Sequence, residues 1–65
     1  MNLNAIQVRD LGERFQKLWN QDNKENDLKL RGMTETMDAL GIPWRLNPGA
    51  SGFDSVTIAG KTFKL

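Results

Sequence analysis

The first third of the chain carries apolar residues at helical spacing. They recur at every third or fourth position: Val8, Leu11, Phe15, Leu18 and Trp19. This spacing places the side chains on one stripe of an α-helix. It predicts a first helix over residues 4–20, with Asn2 or Asn4 as its N-cap. Gly12 lies at the edge of the stripe, and because a mid-helix glycine costs about 1 kcal/mol relative to alanine, we expect it to admit another backbone at close range.

A polar connector separates this stripe from a second one. Residues 20–27 contain no apolar side chain and predict either a solvated loop or a frayed helical extension. The second stripe consists of Leu30, Met33, Met37 and Leu40. It predicts a second helix over residues 27–40. The two methionines lie between leucines, so we expect them in the core rather than on an adaptable partner surface.

Both ends of the second helix carry boundary signals. Asn26 or Asp27 is the predicted N-cap. At the other end, Gly41 predicts a left-handed C-terminal cap. Ile42 is placed to fold back onto the last turn, and Pro43 prevents the helix from continuing.

The last third of the chain changes to the period of a strand. Residues 44–46 alternate as a short strand, and residues 47–52 are rich in glycine and proline and predict a loop. Residues 53–65 alternate again on either side of Ala59-Gly60. They predict a β-hairpin with a two-residue turn, because its alternation places all apolar side chains on one face.

The hairpin register sorts the side chains into two sets. The predicted covered face holds Trp44, Leu46, Val56, Ile58, Phe63 and Leu65. The predicted outer face holds Arg45, Ser55, Thr57, Thr62 and Lys64. A slip of one residue would mix the sets, so the register is well specified. The sequence therefore predicts a single α+β domain over residues 1–65, in which two amphipathic helices cover one face of a three-stranded antiparallel sheet (ααβββ).

Composition argues against catalysis. The 65 residues include no cysteine and no histidine, which are the most reactive nucleophile and the commonest general base. Two carboxylate pairs one helical turn apart, Asp10 with Glu13 and Glu35 with Asp38, are expected to be solubilising charge rather than metal ligands. We therefore expect a protein that is not an enzyme and holds no metal or cofactor.

The chain also lacks the marks of a membrane protein. No segment approaches the roughly 20 apolar residues of a membrane span. The first residues lack the basic start and apolar run of a signal peptide. We expect a cytoplasmic protein without membrane contact.

These exclusions favour a non-enzymatic protein-interaction or regulatory adaptor module. Its predicted binding surface is either the outer sheet face or the loop over residues 47–53. The candidate outer-face residues are Arg45, Thr57, Thr62 and Lys64. Trp19, Phe53 and Ile6 are candidates for surplus apolar surface, which marks a partner site where it is contiguous. A straight strand places Phe53 on the polar face, and the alternative is a position under the loop.

Nucleic acid is the alternative partner. Two helices followed by a hairpin are similar in order to a winged-helix arrangement, and the predicted contacts are Lys29, Arg31, Arg45 and Lys64. Three features depart from that arrangement. The predicted connector of about six residues is longer than a helix-turn-helix turn, only two helices are evident, and the net charge is only +1.

Two further expectations concern assembly and origin. An open edge on the last strand permits self-association, so the sequence leaves monomer and homodimer undecided. In size and economy the chain is similar to the small accessory proteins of bacteria and their mobile elements, including inhibitors that occupy a surface of a host protein. This similarity is one of scale and involves no motif.

Overall fold

The predicted order of two helices and three strands is confirmed. A computed structural model of the chain describes residues 3–21, 23–50 and 52–65. The elements are α1 (Ala5–Asn20), α2 (Lys24–Ala39), β1 (Trp44–Gly49), β2 (Gly52–Ile58) and β3 (Lys61–Lys64). The strands form one antiparallel sheet in the order β1-β2-β3. Helix α1 contacts β2, β3 and α2, so the architecture is the predicted ααβββ.

Helix α1 begins at the predicted Asn4 cap. The side-chain oxygen of Asn4 accepts a hydrogen bond of 2.8 Å from the backbone N–H of Gln7. The Gln7 side-chain oxygen accepts one of 3.0 Å from the Asn4 N–H. This reciprocal capping box satisfies two of the backbone donors that a helix start leaves unpaired. The other predicted cap, Asn2, lies outside the described residues.

The prediction for Gly12 is wrong about what approaches it. Its neighbour is the ring of Phe63 on β3, and a Cβ atom at Gly12 would overlap with that ring. Phe63 and Phe15 are both buried in the core. The glycine therefore admits an aromatic side chain rather than a backbone.

Helix α2 begins at Lys24, earlier than the predicted residue 27. The side-chain oxygen of Asn23, rather than Asn26 or Asp27, caps it and accepts a hydrogen bond of 2.8 Å from the Asn26 N–H. Asn26 lies inside the helix, and its side-chain amide donates a hydrogen bond of 2.7 Å to the Gln21 carbonyl. Because this buried amide ties α2 to the end of α1, the connector shortens to residues 21–23, of which Asp22 lies outside the described residues.

The predicted end of α2 is confirmed. Gly41 has a φ of 72°. The N–H of Ile42 donates to the Met37 carbonyl at 2.8 Å, and the N–H of Gly41 donates to the Asp38 carbonyl at 3.2 Å. These two bonds form a Schellman motif, in which Ile42 is buried.

The apolar stripe of α2 is only partly covered. Met37 is fully buried, as predicted, whereas Leu30 and Met33 are half-buried. Leu40 is 45% exposed. It lies one residue beyond the last helical residue, Ala39, so its prediction as a core residue is wrong.

The predicted hairpin register is confirmed. Val56 pairs with Phe63, Thr57 with Thr62, and Ser55 with Lys64. On the other side of β2, Leu46 of β1 also pairs with Val56. Val56 and Ile58 are fully buried under the helices, so β2 is the centre of both the sheet and the core.

The predicted loop over residues 47–52 is wrong. Gly49 pairs with Gly52, which leaves two residues between β1 and β2, and Ser51 lies outside the described residues. The register shifts between the Asn47–Ser55 and Pro48–Phe53 pairs, so Asp54 is one extra residue, a β-bulge.

The bulge decides the side on which Phe53 lies. One extra residue reverses the alternation of side chains upstream of it. The Phe53 ring accordingly contacts the Trp19 ring of α1 edge to face, with centroids 6.3 Å apart. The strand is therefore not straight, and of the two placements expected from the sequence the polar face does not apply.

The β2–β3 turn yields a stability prediction. Ala59 has a φ of 52° and Gly60 a φ of 85°, the backbone of a type I′ turn, which prefers Asn-Gly. Since alanine in the left-handed region costs about 1–2 kcal/mol, we expect Ala59→Asn to raise the free energy of unfolding in urea by about 1 kcal/mol. The matched Ala50→Asn variant should bring no gain, since Ala50 has no positive φ. Equal gains would contradict the turn assignment.

Candidate functional site

The structure brings four predicted site residues together on the outer sheet face. Arg45 pairs with Thr57, which pairs in turn with Thr62. Lys64 lies two residues beyond Thr62 on the same face. This face is turned away from the helices, so the predicted surface exists as a continuous polar area.

A hydrogen-bonded network occupies much of that face, with Asn47 at its centre. The Arg45 Nε donates to the Asn47 side-chain oxygen at 2.9 Å. The Asn47 amide donates to the hydroxyls of Ser55 and Thr57, both at 3.0 Å. The hydroxyls of Thr57 and Thr62 share a further bond of 3.0 Å. Because these groups satisfy one another, a partner would have to replace bonds already made.

The two aromatic candidates lie on the opposite side of the sheet. Trp19 stacks on Phe15, with ring centroids 6.0 Å apart, and contacts Phe53 at 6.3 Å. Phe53 remains 50% exposed at the rim of the core. The predicted partner-binding set is therefore divided between two surfaces.

Ile6 does not extend this aromatic pair. It is 61% exposed on α1, thirteen residues before Trp19 in the same helix. At 1.5 Å per residue the two are about 20 Å apart along the helix axis. The three candidate apolar residues are therefore not contiguous, and the condition for a partner site formed by all three is not met.

The alternative nucleic-acid contacts are also divided. Lys29 and Arg31 belong to α2, whereas Arg45 and Lys64 lie on the sheet face turned away from the helices. The Lys29 ammonium lies 3.3 Å from a Glu25 carboxylate oxygen. Helix α2 as a whole carries four carboxylates and three cations. A helix of this charge is poorly suited to approach phosphates.

The length of the connector, however, does not distinguish this fold from a helix-turn-helix arrangement. The connector spans residues 21–23, within the three to four residues of a helix-turn-helix turn, so that part of the sequence argument is wrong. The nucleic-acid hypothesis is disfavoured instead because its basic residues are divided between α2 and the outer sheet face.

A concavity lies elsewhere, between the two helices. This interhelical groove has a volume of about 680 Å³. Its α1 wall is formed by Leu11, Arg14, Lys17, Leu18 and Gln21. Its α2 wall is formed by Asn26, Lys29, Gly32, Met33, Thr36, Met37 and Leu40, with Ile42 beyond.

We call four apolar residues of the two walls the floor of the groove: Leu11, Leu18, Met33 and Leu40. They remain partly accessible. Leu11, Leu18 and Met33 are half-buried, and Leu40 is 45% exposed. The sequence predicts all four as members of the apolar helix stripes, with either Leu18 or Trp19 at the margin of the first stripe. A signal was present in α1, where Leu11 and Leu18 widen the stripe beyond the buried Val8 and Phe15 and adjoin two basic residues.

The charged residues of the groove wall are all cations. They are Arg14, Lys17 and Lys29, and none of the lining residues that the structure describes is a carboxylate. Lys29 is paired with Glu25 outside the wall. Among the described residues, Arg14 and Lys17 form no ion pair. The groove thus combines an apolar floor with two cations available to a partner.

Gly32 opens the α2 wall. Nothing lies within 4 Å of the position that a Cβ atom would take there. Its backbone is helical and has no positive φ, so neither packing nor conformation requires a glycine. The effect of Gly32 is to lower one wall of the groove.

The remaining observations define what the described part of the chain lacks. In residues 3–21, 23–50 and 52–65, no group of three or more carboxylates is placed to hold a metal ion. Neither helix is long and apolar enough to cross a bilayer. The sequence matches no protein-family model, and no curated protein or solved structure shows significant similarity to it.

Proposed function

We propose that this protein is a non-enzymatic interaction module, a regulatory adaptor, that binds another protein through the interhelical groove. The observation that carries the proposal is the accessible apolar floor of a concavity of about 680 Å³. Apolar surface that remains accessible in a concave site is typical of binding sites. Burying it against a partner would contribute roughly 25 cal/mol per Å².

The outer sheet face is the less favourable docking surface. Its central groups, Asn47, Thr57 and Thr62, already hydrogen-bond one another. A partner there would gain little from the burial of apolar area, and new polar contacts contribute only about 0.5–1.5 kcal/mol each. We therefore propose the groove, rather than the outer sheet face predicted from the sequence, as the docking surface.

Site-specific photocrosslinking tests this proposal. A photoreactive amino acid replaces Leu18 in the groove in one protein and Thr62 on the outer face in another, and each is irradiated in lysate of the source cell. We expect a discrete covalent adduct with a protein from position 18 and none from position 62. The adduct should disappear when Met33→Glu places a carboxylate in the floor of a protein that circular dichroism shows to be folded.

Other results would contradict the proposal in different ways. Adducts from position 62 alone would move the binding surface to the outer sheet face. An absence of adducts from both positions would refute an interaction module of either kind. An adduct from position 18 that survives Met33→Glu would remove the groove from the interaction.

A further inference from the structure

The shape of the groove matches a third helix. Each wall is a helix of 16 residues, about 24 Å long at 1.5 Å per residue. A groove between two packed helices takes the ridge of a further helix, with axes about 8–10 Å apart. Docking of an amphipathic helix through its apolar face is a common mode of recognition.

Gly32 favours the same occupant. Because it has no side chain and nothing occupies its Cβ position, a partner backbone can approach α2 closely at this point. A mid-helix glycine costs about 1 kcal/mol relative to alanine, and no contact within the described part of this chain offsets that cost. A close contact between α2 and a docked helix would offset it.

The groove is also polarised along its length. Near the connector the lining residues are polar or cationic except for Leu18: Lys17, Gln21, Asn26 and Lys29. Those farthest from it along the chain are apolar: Leu11, Leu40 and Ile42. Arg14 lies between the two groups in sequence. A complementary helix carries apolar side chains along one face and carboxylates beside them, mainly towards the connector.

Charge argues against two other occupants. A second copy docked groove to groove would bring two sets of cations into one interface, and no carboxylate among the described lining residues would pair with them. The phosphates of nucleic acid would pair with the cations, but they would gain nothing from contact with the apolar floor, which includes Leu11, Leu18 and Met33. An acidic helix satisfies both features.

We infer that the groove binds an acidic amphipathic helix of a partner protein, an inference that rests on the proposed function and names its partner class. Carboxylates of that helix pair with Arg14 and Lys17, and its apolar face covers the floor. Opposite charges of this kind set specificity and the rate of association more than the affinity itself.

Two designed peptides test the inference by fluorescence anisotropy with the full chain. One is an amphipathic helix of about 16 residues with leucines at helical spacing and glutamates between them. The other has lysine in place of every glutamate. We expect the glutamate peptide to bind at least about tenfold more tightly than the lysine peptide, and to weaken as salt is raised.

Three variants assign the binding to the groove. The double variant Arg14→Glu with Lys17→Glu should weaken the glutamate peptide about tenfold. The matched double variant Lys24→Glu with Arg31→Glu changes net charge equally outside the wall and should change affinity less than about twofold. Gly32→Ala should weaken binding while stabilising the fold, a combination that no folding defect produces.

The remaining outcomes overturn the inference. Equal affinity for both peptides would show an undirected apolar surface, and equal effects of the two double variants would show nonspecific charge attraction. If mixed-sequence duplex DNA displaces the glutamate peptide and its binding is lost in the Arg14/Lys17 variant, the groove is a nucleic-acid site. If neither peptide binds, the partner class is wrong, and the crosslink at position 18 still decides the proposed function separately.

Discussion

Replacement of Phe63 with alanine is expected to leave most of the chain unfolded. Phe63 is buried on β3, pairs with Val56 in the sheet and places its ring against Gly12 of α1. A buried Phe→Ala change costs about 3–5 kcal/mol. A domain of this size without disulfides has a net stability of about the same amount. The contribution of this one side chain is therefore about as large as the net free energy of unfolding of the whole domain.

Phe53 provides the matched control. It undergoes the same truncation next to the same helix, but it is 50% exposed and its aromatic contact is a single edge-to-face pair with Trp19. Such a pair contributes about 0.5–1.5 kcal/mol beyond its burial. Circular dichroism with urea titration should show a cooperative transition for Phe53→Ala and little folded signal for Phe63→Ala. A cooperative transition of nearly unchanged midpoint in Phe63→Ala would refute the core described here.

The contrast between these two phenylalanines also shows what the sequence could predict. The hairpin of β2 and β3 is a local pattern of period two, so Val56 and Phe63 were placed correctly from alternation alone. Phe53 depends on the bulge at Asp54, which arises from pairing between β1 and β2. Glycine and proline in that segment read as a loop, since those residues mark loops and bulges alike.

The start of α2 shows a similar limit. Asn23, Asn26 and Asp27 are all good N-cap residues, so local preference cannot choose among them. The choice depends on burial of the Asn26 amide against the Gln21 carbonyl, a contact with the end of α1. The C-terminal end of α2 required no such contact, because only Gly41 suits the left-handed position.

The outer sheet face could be predicted from the sequence, whereas the groove could not. Arg45, Thr57 and Thr62 were grouped correctly because strand alternation fixes a face. The groove depends on the spacing of two helices and on how much of each stripe the small sheet covers. Periodicity marks Leu11 and Met33 as apolar stripe residues, but it does not tell which stripe residues remain accessible.

The two mid-helix glycines are expected to respond in opposite directions to the same substitution. Gly12→Ala brings a methyl group into the ring of Phe63. Overpacking of this kind costs about 1–3 kcal/mol. Over most of that range the cost exceeds the gain of about 1 kcal/mol that alanine brings through its higher helix propensity. We expect a net loss of unfolding free energy and an altered environment for the Phe63 ring in aromatic NMR spectra.

Gly32→Ala meets no neighbour, since nothing lies within 4 Å of its Cβ position. The propensity gain is therefore not offset, and the unfolding free energy should rise by about 1 kcal/mol. Urea titrations of the two single variants and the double variant measure both effects, and these should add because the glycines share no contact. If Gly12→Ala stabilises the chain as much as Gly32→Ala does, the ring of Phe63 does not rest on Gly12, and α1 is not held over β3 by that contact.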